Sequence, residues 1–193
     1  MIDSKITQQP KNYTTLLQKC EEIGFTMPSD IYIGTLLKSL VASKPNGRFL
    51  ELGTGIGLSL AWMIEGMIGH SQIISVDNDH NLISTVSKII GNRQNVHLIC
   101  GDGSKWIKKY TDEKFDLIFA DAWPGKYSDI DETLSLLRIG GIYIIDDMTT
   151  QANWPDGHQE NVDSLIAYLE KQPDFTMTKM AWSTGVIIMT RIE

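Results

Sequence analysis

The chain has few cysteines, no surplus of positive charge and no long apolar run, and each shortage excludes a class of protein. Two cysteines among 193 residues, Cys20 and Cys100, are too few for a disulfide framework. Both sit in apolar patterns, where a reduced thiol is expected to pack as a small hydrophobe. Lys and Arg number 17 against 24 Asp and Glu, a formal net charge of −7, which argues against a nucleic-acid backbone as partner. The basic cluster Lys105, Lys108 and Lys109 reads as one solvated helix face. No apolar run approaches the ~18 residues of a membrane span, and the stretch from Met1 to Pro10 lacks a secretory apolar core. The expectation is a cytoplasmic protein with no membrane and no nucleic-acid partner. What is present, 42% apolar and 21% charged residues, is the composition of an ordinary globular chain, long enough for one domain with a good-sized core.

Apolar spacing divides the chain into alternating elements. Tyr13, Leu16, Leu17, Cys20 and Ile23 recur at helical intervals, as do Ile33, Leu36, Leu37, Leu40 and Val41. Gly24 and the pair Met27-Pro28 separate these two helices. Strands are then expected at 48–52, 73–77, 95–100, 115–120 and 141–146, with helices near 57–68, 79–91, 103–110 and 129–137. Asp79 is the candidate cap of the second of those helices. A further helix carries Val162, Leu165, Ile166 and Leu169, and two strand-like runs, Phe175 to Trp182 and Val186 to Arg191, close the chain. Only Ser183-Thr184-Gly185 joins that last pair, too short for a parallel crossover, so they must pair antiparallel. The fold class is therefore α/β: a doubly wound, mostly parallel, seven-stranded sheet ending in an antiparallel hairpin. It is expected as one domain over 1–193, with a helical cap at 1–45 and an α/β core at 46–193.

The run Phe49-Leu50-Glu51-Leu52-Gly53-Thr54-Gly55-Ile56-Gly57-Leu58-Ser59 reads as a buried strand, a glycine-rich turn and the start of an apolar helix. Parallel α/β sheets hold nucleotide-like ligands at such a place. Gly53, Thr54 and Gly55 are candidate ligand contacts, the glycines leaving no side chain between backbone and ligand. A dinucleotide fingerprint requires a glycine where this chain has Leu58. Strand two ends in Asp77, a candidate acceptor for two ribose hydroxyls, with Asn78 beside it. Strand three ends in Asp102-Gly103 and strand four in Asp121.

The short glycine motif with Glu51 before it resembles the first motif of class I S-adenosylmethionine (SAM) methyltransferases. From residue 25 to 193 the chain is most similar to the catechol and caffeoyl-CoA type O-methyltransferases. Asp121-Ala122-Trp123-Pro124-Gly125-Lys126-Tyr127 resembles their fourth-strand segment, Gly140-Gly141 the glycine pair before their fifth strand, and Asp146-Asp147 their Asp-Asn pair. The resemblance implies Glu51 in the cofactor site, Ser59 on the methionine carboxylate and Asp102 with Gly103 at the adenine. It also implies Asp121, Asp146 and Asp147 around Mg²⁺ or a similar ion, whose preference for oxygen suits them. Asp146 and Asp147 face opposite ways in a continuing strand, so only a turn after Ile145 lets both converge.

Two departures stand out. Asp147 replaces the usual Asn, and Pro124 occupies the slot of the general-base lysine, three residues after Asp121. Lys126 is the candidate substitute, with a solvent-facing lysine as the alternative. The long connection from Met148 to Gln159 supplies a second candidate base, His158, and a candidate acceptor wall, Trp154, opposite Trp123. A packed tryptophan with His158 capping the next helix is the alternative. Met27 and Asp30 are weaker pocket candidates, read first as staple and cap. The expected activity is methyl transfer from SAM to a small-molecule hydroxyl, with divalent-metal assistance. A metal-independent N-methyltransferase, a non-catalytic SAM-binding protein and an NAD-dependent oxidoreductase are the alternatives. A homodimer is expected if the first two helices expose an apolar face.

Overall fold

The run Phe49-Leu50-Glu51-Leu52 has no solvent-facing position because both faces of its strand are covered. In the computed structural model, which describes residues 5, 6 and 8–193, this strand is β1 (Arg48–Leu52). Residues 1–4 and 7, half of the stretch read as lacking a secretory core, lie outside the described residues. In parallel register β1 pairs with β2 (Gln72–Asp77) on one side and β4 (Phe115–Ala120) on the other. Outside them lie β3 (Val96–Cys100) and β5 (Leu137–Ile145), also parallel. The hairpin β6 (Phe175–Met180) and β7 (Val186–Arg191) joins β5 antiparallel through β7, giving the order β3-β2-β1-β4-β5-β7-β6. The chain leaves β1 towards β3 and returns on the opposite side at β4. That reversal opens a crevice at the carboxyl ends of β1 and β4.

Strand alternation assigns the two faces. Phe49, Ile73, Leu117, Phe119 and Ile144 pack under α2 (Ile31–Ala42), α3 (Leu58–Gly66) and α4 (His80–Ile90). Leu50, Leu52, Ile118 and Tyr143 pack under α5 (Gly103–Lys109), α7 (Ile130–Ser135) and α8 (His158–Leu169). A one-turn segment, α6 (Trp123–Lys126), lies between β4 and α7. The first helix, α1 (Tyr13–Ile23), packs Tyr13, Leu16 and Cys20 on Ile56, Leu58, Ala61 and Trp62. Helix α3 is therefore covered by the sheet on one side and by α1 and α2 on the others, which explains its apolar residues all round.

Three expectations change. Strand five begins at Leu137 rather than 141, because Leu137 is buried and pairs with Phe115; the next partners are Leu117 and Ile142, so Gly140-Gly141 lies in an irregularity inside β5. Cys100 is exposed, since β3 is an edge strand, whereas Cys20 is buried as expected. Lys108 is paired with Asp129 at 2.7 Å instead of being simply solvated. Among the described residues no helix is long and apolar enough to cross a membrane.

Candidate active site

The crevice is narrow at its base. Gly53 has φ 100°, and a Cβ there would lie 2.7 Å from the Asp121 carbonyl oxygen, so only glycine lets the turn after β1 meet the end of β4. The ladder runs on across both neighbours: the Gly53 N–H donates to the Val76 carbonyl (2.9 Å) and the Asp121 N–H to the Leu52 carbonyl (2.8 Å). Half-buried Asp77 braces the loop. Its Oδ2 accepts from the Gly55 N–H at 2.8 Å and its Oδ1 from the Asp79 N–H at 2.9 Å. Each carboxylate oxygen keeps a lone pair for a ligand hydroxyl. Asn78 is exposed beside it.

Glu51, Thr54 and Ser59 require correction as side-chain ligands. Glu51 shares parity with Phe49 along β1, so it points at α3 and not into the crevice. It is 0% exposed, and its two oxygens accept from Ser59 Oγ (2.6 Å) and Ser75 Oγ (2.5 Å). Thr54 Oγ1 completes the network at 2.6 Å from Ser75 Oγ. These groups form a buried polar bed beneath the glycine turn. Burial raises the Glu51 carboxyl from 4.5 to about 7, with the two serine hydrogen bonds opposing the rise. For a raised carboxyl, the stabilising contribution is full below the unfolded value and is lost as pH climbs through the folded one. Glu51→Gln is therefore expected to flatten the stability profile. Relative to it, the native protein should lose about 3 kcal/mol between pH 4 and pH 8. Urea denaturation of both in chelator, across that range, checks this; a difference independent of pH would contradict it.

At the end of β3 Asp102 caps α5, Oδ1 accepting from the Lys105 N–H at 2.9 Å. The carboxylate is exposed, with Lys105 Nζ 3.8 Å from the other oxygen. Gly103 follows it, and a Cβ there would sit 3.1 Å from Pro124.

Three carboxylates meet where β4 and β5 end. The strand stops at Ile145, and Asp147 turns the chain with φ 51°. This turn meets the condition for convergence: one ligand oxygen from each of Asp121, Asp146 and Asp147 lies within 4.8 Å of the others. Burial pushes Asp121 up to about 6 against the pull of Lys126. Burial, then the charges of Asp121 and Asp147, hold Asp146 well above the carboxylate range, and burial raises Asp147. Asp146 is 2% exposed, and its Oδ1 is buried with no hydrogen-bond partner among the described residues. An all-oxygen donor set with an orphaned buried oxygen fits a hard divalent cation.

The linker between α1 and α2 closes over this end. Ser29 Oγ donates to Asp121 Oδ2 at 3.3 Å, a contact the sequence reading missed. Asp30 caps α2 by accepting from the Tyr32 N–H at 2.7 Å, and Met27 is 69% exposed. Asp30 therefore follows the cap reading, whereas Met27 does not pack as the expected staple.

The Pro124-Gly125 turn directs Lys126 inwards. Gly125 has φ 87°, and a Cβ there would meet Leu52 Cδ1 at 2.3 Å. Lys126 is 5% exposed, and its Nζ donates to the Asp146 carbonyl at 2.8 Å. Lys126 is thus held against the Asp146 carbonyl beside the three carboxylates rather than facing solvent. Next to it Tyr127 Oη lies 3.1 Å from His158 Nε2. Trp123, 55% exposed, packs 4.8 Å from the Tyr127 ring, and Trp154 4.6 Å from the His158 ring. His158 does not cap α8; Gly157 occupies the cap position.

Known proteins share this fold. A family model described as a methyltransferase domain matches residues 50–148, from β1 through the acidic pair, just over half the chain. An inferred O-methyltransferase of Mycobacterium avium is 27% identical over 118 residues, covering 58% of this chain and 53% of that protein. The chain thus spans about half the length of the curated relatives it matches. Among solved structures, the O-methyltransferase TomG of Streptomyces achromogenes, involved in tomaymycin synthesis and bound to SAM, superimposes with TM-score 0.85 at 19% identity, covering 99% of this chain and 94% of that one. An O-methyltransferase of Bacillus cereus bound to S-adenosylhomocysteine gives 0.82 at 19%, over 99% and 94% of the two chains. At such identity these likenesses establish a shared fold. The match that runs from β1 to the acidic pair establishes the family, and the chain belongs to the methyltransferase domain family.

Proposed function

We propose that the protein transfers a methyl group from SAM to a hydroxyl of a small-molecule acceptor, with a divalent cation at the three aspartates. The observation that carries this reading is convergence. The Asp77-braced glycine turn and the Asp121–Asp146–Asp147 cluster meet at one crevice, since Gly53 packs on the Asp121 carbonyl.

SAM supplies a methyl carbon already activated by its sulfonium. The protein's task is then to orient the acceptor in line and to help its hydroxyl lose a proton. Asp77 is placed to accept from the ribose hydroxyls, the glycine turn to lie against the ligand, and Asp102 with Gly103 to flank the adenine. Asp121, Asp146 and Asp147 would hold a divalent cation, which would supply Lewis acidity toward the acceptor hydroxyl. Lys126 offsets part of the cluster's charge, and its bond to the Asp146 carbonyl fixes the turn that aims Asp147. Trp123 offers an exposed aromatic face beside Asp121 for the body of the acceptor.

Methyl-labelled SAM, incubated with a panel of catechols, phenols and amines with and without Mg²⁺ after chelation, tests this. Cation-dependent label in ether products supports it. Label reaching amines in chelator would replace it with metal-free nitrogen chemistry.

A further inference from the structure

We propose that Tyr127 and His158 form the proton relay that deprotonates the acceptor, Tyr127 Oη receiving the acceptor's proton while its own passes to His158 Nε2. This assignment rests on the methyl-transfer reading and adds to it the group that moves the proton. The observations behind it are independent of the cofactor. Lys126 donates to the Asp146 carbonyl, and the three carboxylates are the proposed ligands of the cation. A phenol and an imidazole lie beside this cluster, already joined at 3.1 Å.

The surroundings determine the direction. Burial, then Asp147, Asp146 and Asp121, push the Tyr127 hydroxyl up to about 12, so it stays protonated and can donate. Lys126 Nζ lies 5.3 Å from the Tyr127 ring centroid. His158 faces Tyr127 and the charge of Asp147, with Trp123 and Trp154 as apolar neighbours and Glu160 on its own first turn. A Tyr127 O–H that donates to Nε2 leaves the lone pairs of Oη free to accept from an acceptor hydroxyl. His158 is only half-buried, so a proton received there has a path to water.

The step balances. The acceptor O–H breaks as Oη–H forms, and the original Oη–H breaks as Nε2–H forms. The acceptor oxygen bonds to the methyl carbon as the carbon–sulfur bond of SAM breaks, its electron pair staying on sulfur. His158 then releases one proton to solvent, so the products are S-adenosylhomocysteine, the methyl ether and H⁺.

Two measurements decide it. The first is long-range ¹H–¹⁵N spectroscopy of protein labelled at histidine, saturated with S-adenosylhomocysteine and Mg²⁺ at pH 8. It should show His158 Nε2 unprotonated and hydrogen-bonded, with the signal moving in Tyr127→Phe. A proton on Nε2 there would overturn the relay, because His158 would then be the donor. The second uses 3,4-dihydroxybenzoate as acceptor. Tyr127→Phe and His158→Gln should each lower kcat about 100-fold and remove the acidic limb of the pH–rate profile. Affinity for S-adenosylhomocysteine should stay within threefold of the native protein. If both variants retain the limb and kcat within threefold, the pair is a structural clasp and the relay is wrong. No transfer by the native protein would count against the methyl-transfer reading instead, and the tautomer would still decide the relay.

Discussion

Replacing Asp77 with alanine is expected to weaken S-adenosylhomocysteine binding about 100-fold. The side chain does two jobs at once. Its Oδ2 holds the Gly55 N–H and its Oδ1 the Asp79 N–H, so it shapes both the glycine turn and the start of α4. On the proposed reading its remaining lone pairs accept from the ribose hydroxyls. Hydrogen bonds to a charged group contribute about 1.5–3 kcal/mol each, and 100-fold corresponds to about 2.7 kcal/mol. The loss of one ribose contact together with a looser turn therefore accounts for the effect. Asp77→Asn keeps one oxygen for the Gly55 N–H but loses the charge, and should fall between, at about tenfold. Calorimetric titration of the three proteins checks the series. An alanine variant that binds within threefold of the native protein would place the ribose elsewhere.

Asp146→Asn is expected to act with opposite signs in the absence and presence of a divalent cation. Asp146 is buried, carries an oxygen without a partner and faces two other carboxylates. Without a cation, its ionised form is opposed by desolvation and by Asp121 and Asp147. The amide removes that penalty, so in chelator at pH 8 the variant should be more stable by about 1–3 kcal/mol. The sign follows from the raised folded pKa: the native penalty is absent below the unfolded value near 4 and grows as pH rises. The gain should therefore shrink towards pH 4. With excess Mg²⁺ the order should reverse, because binding to the folded state stabilises the native protein by an amount that grows with the logarithm of ligand over Kd. The variant, lacking one anionic ligand, should respond little. Urea denaturation in both conditions reads the two signs. An equal response to Mg²⁺, or a variant less stable in chelator, would remove Asp146 from the cation site.

The sheet was legible because β1, β2 and β4 are short, nearly continuous buried runs and the Ser183–Gly185 link is too short for a crossover, which leaves few topologies. What escaped the sequence was mostly a matter of facing and of distant partners. Glu51 looked like a ligand from its place before Gly53, but the parity of β1 turns it onto Ser59 and Ser75, where it supports the loop from below. Leu137 fits a helical spacing equally well as the end of α7 or the start of β5, and only pairing with Phe115 decides between them. The convergence of Asp146 and Asp147 depended on a turn that no residue type announces, since Asp147 adopts φ 51° without a glycine. Ser29 reaches Asp121 across 92 residues and Tyr127 meets His158 across 31. Such contacts arise from packing, and local pattern carries no record of them. Lys126 was legible as unusual, and the Pro124-Gly125 turn explains why it points inwards.

The proposed site places SAM at the ends of β1, β2 and β4, beside a cation bound by three aspartates. Calorimetric titration with S-adenosylhomocysteine, once in chelator and once in excess Mg²⁺, tests it most directly. The account predicts micromolar binding that tightens when Mg²⁺ is present. No heat of binding in either condition would contradict it.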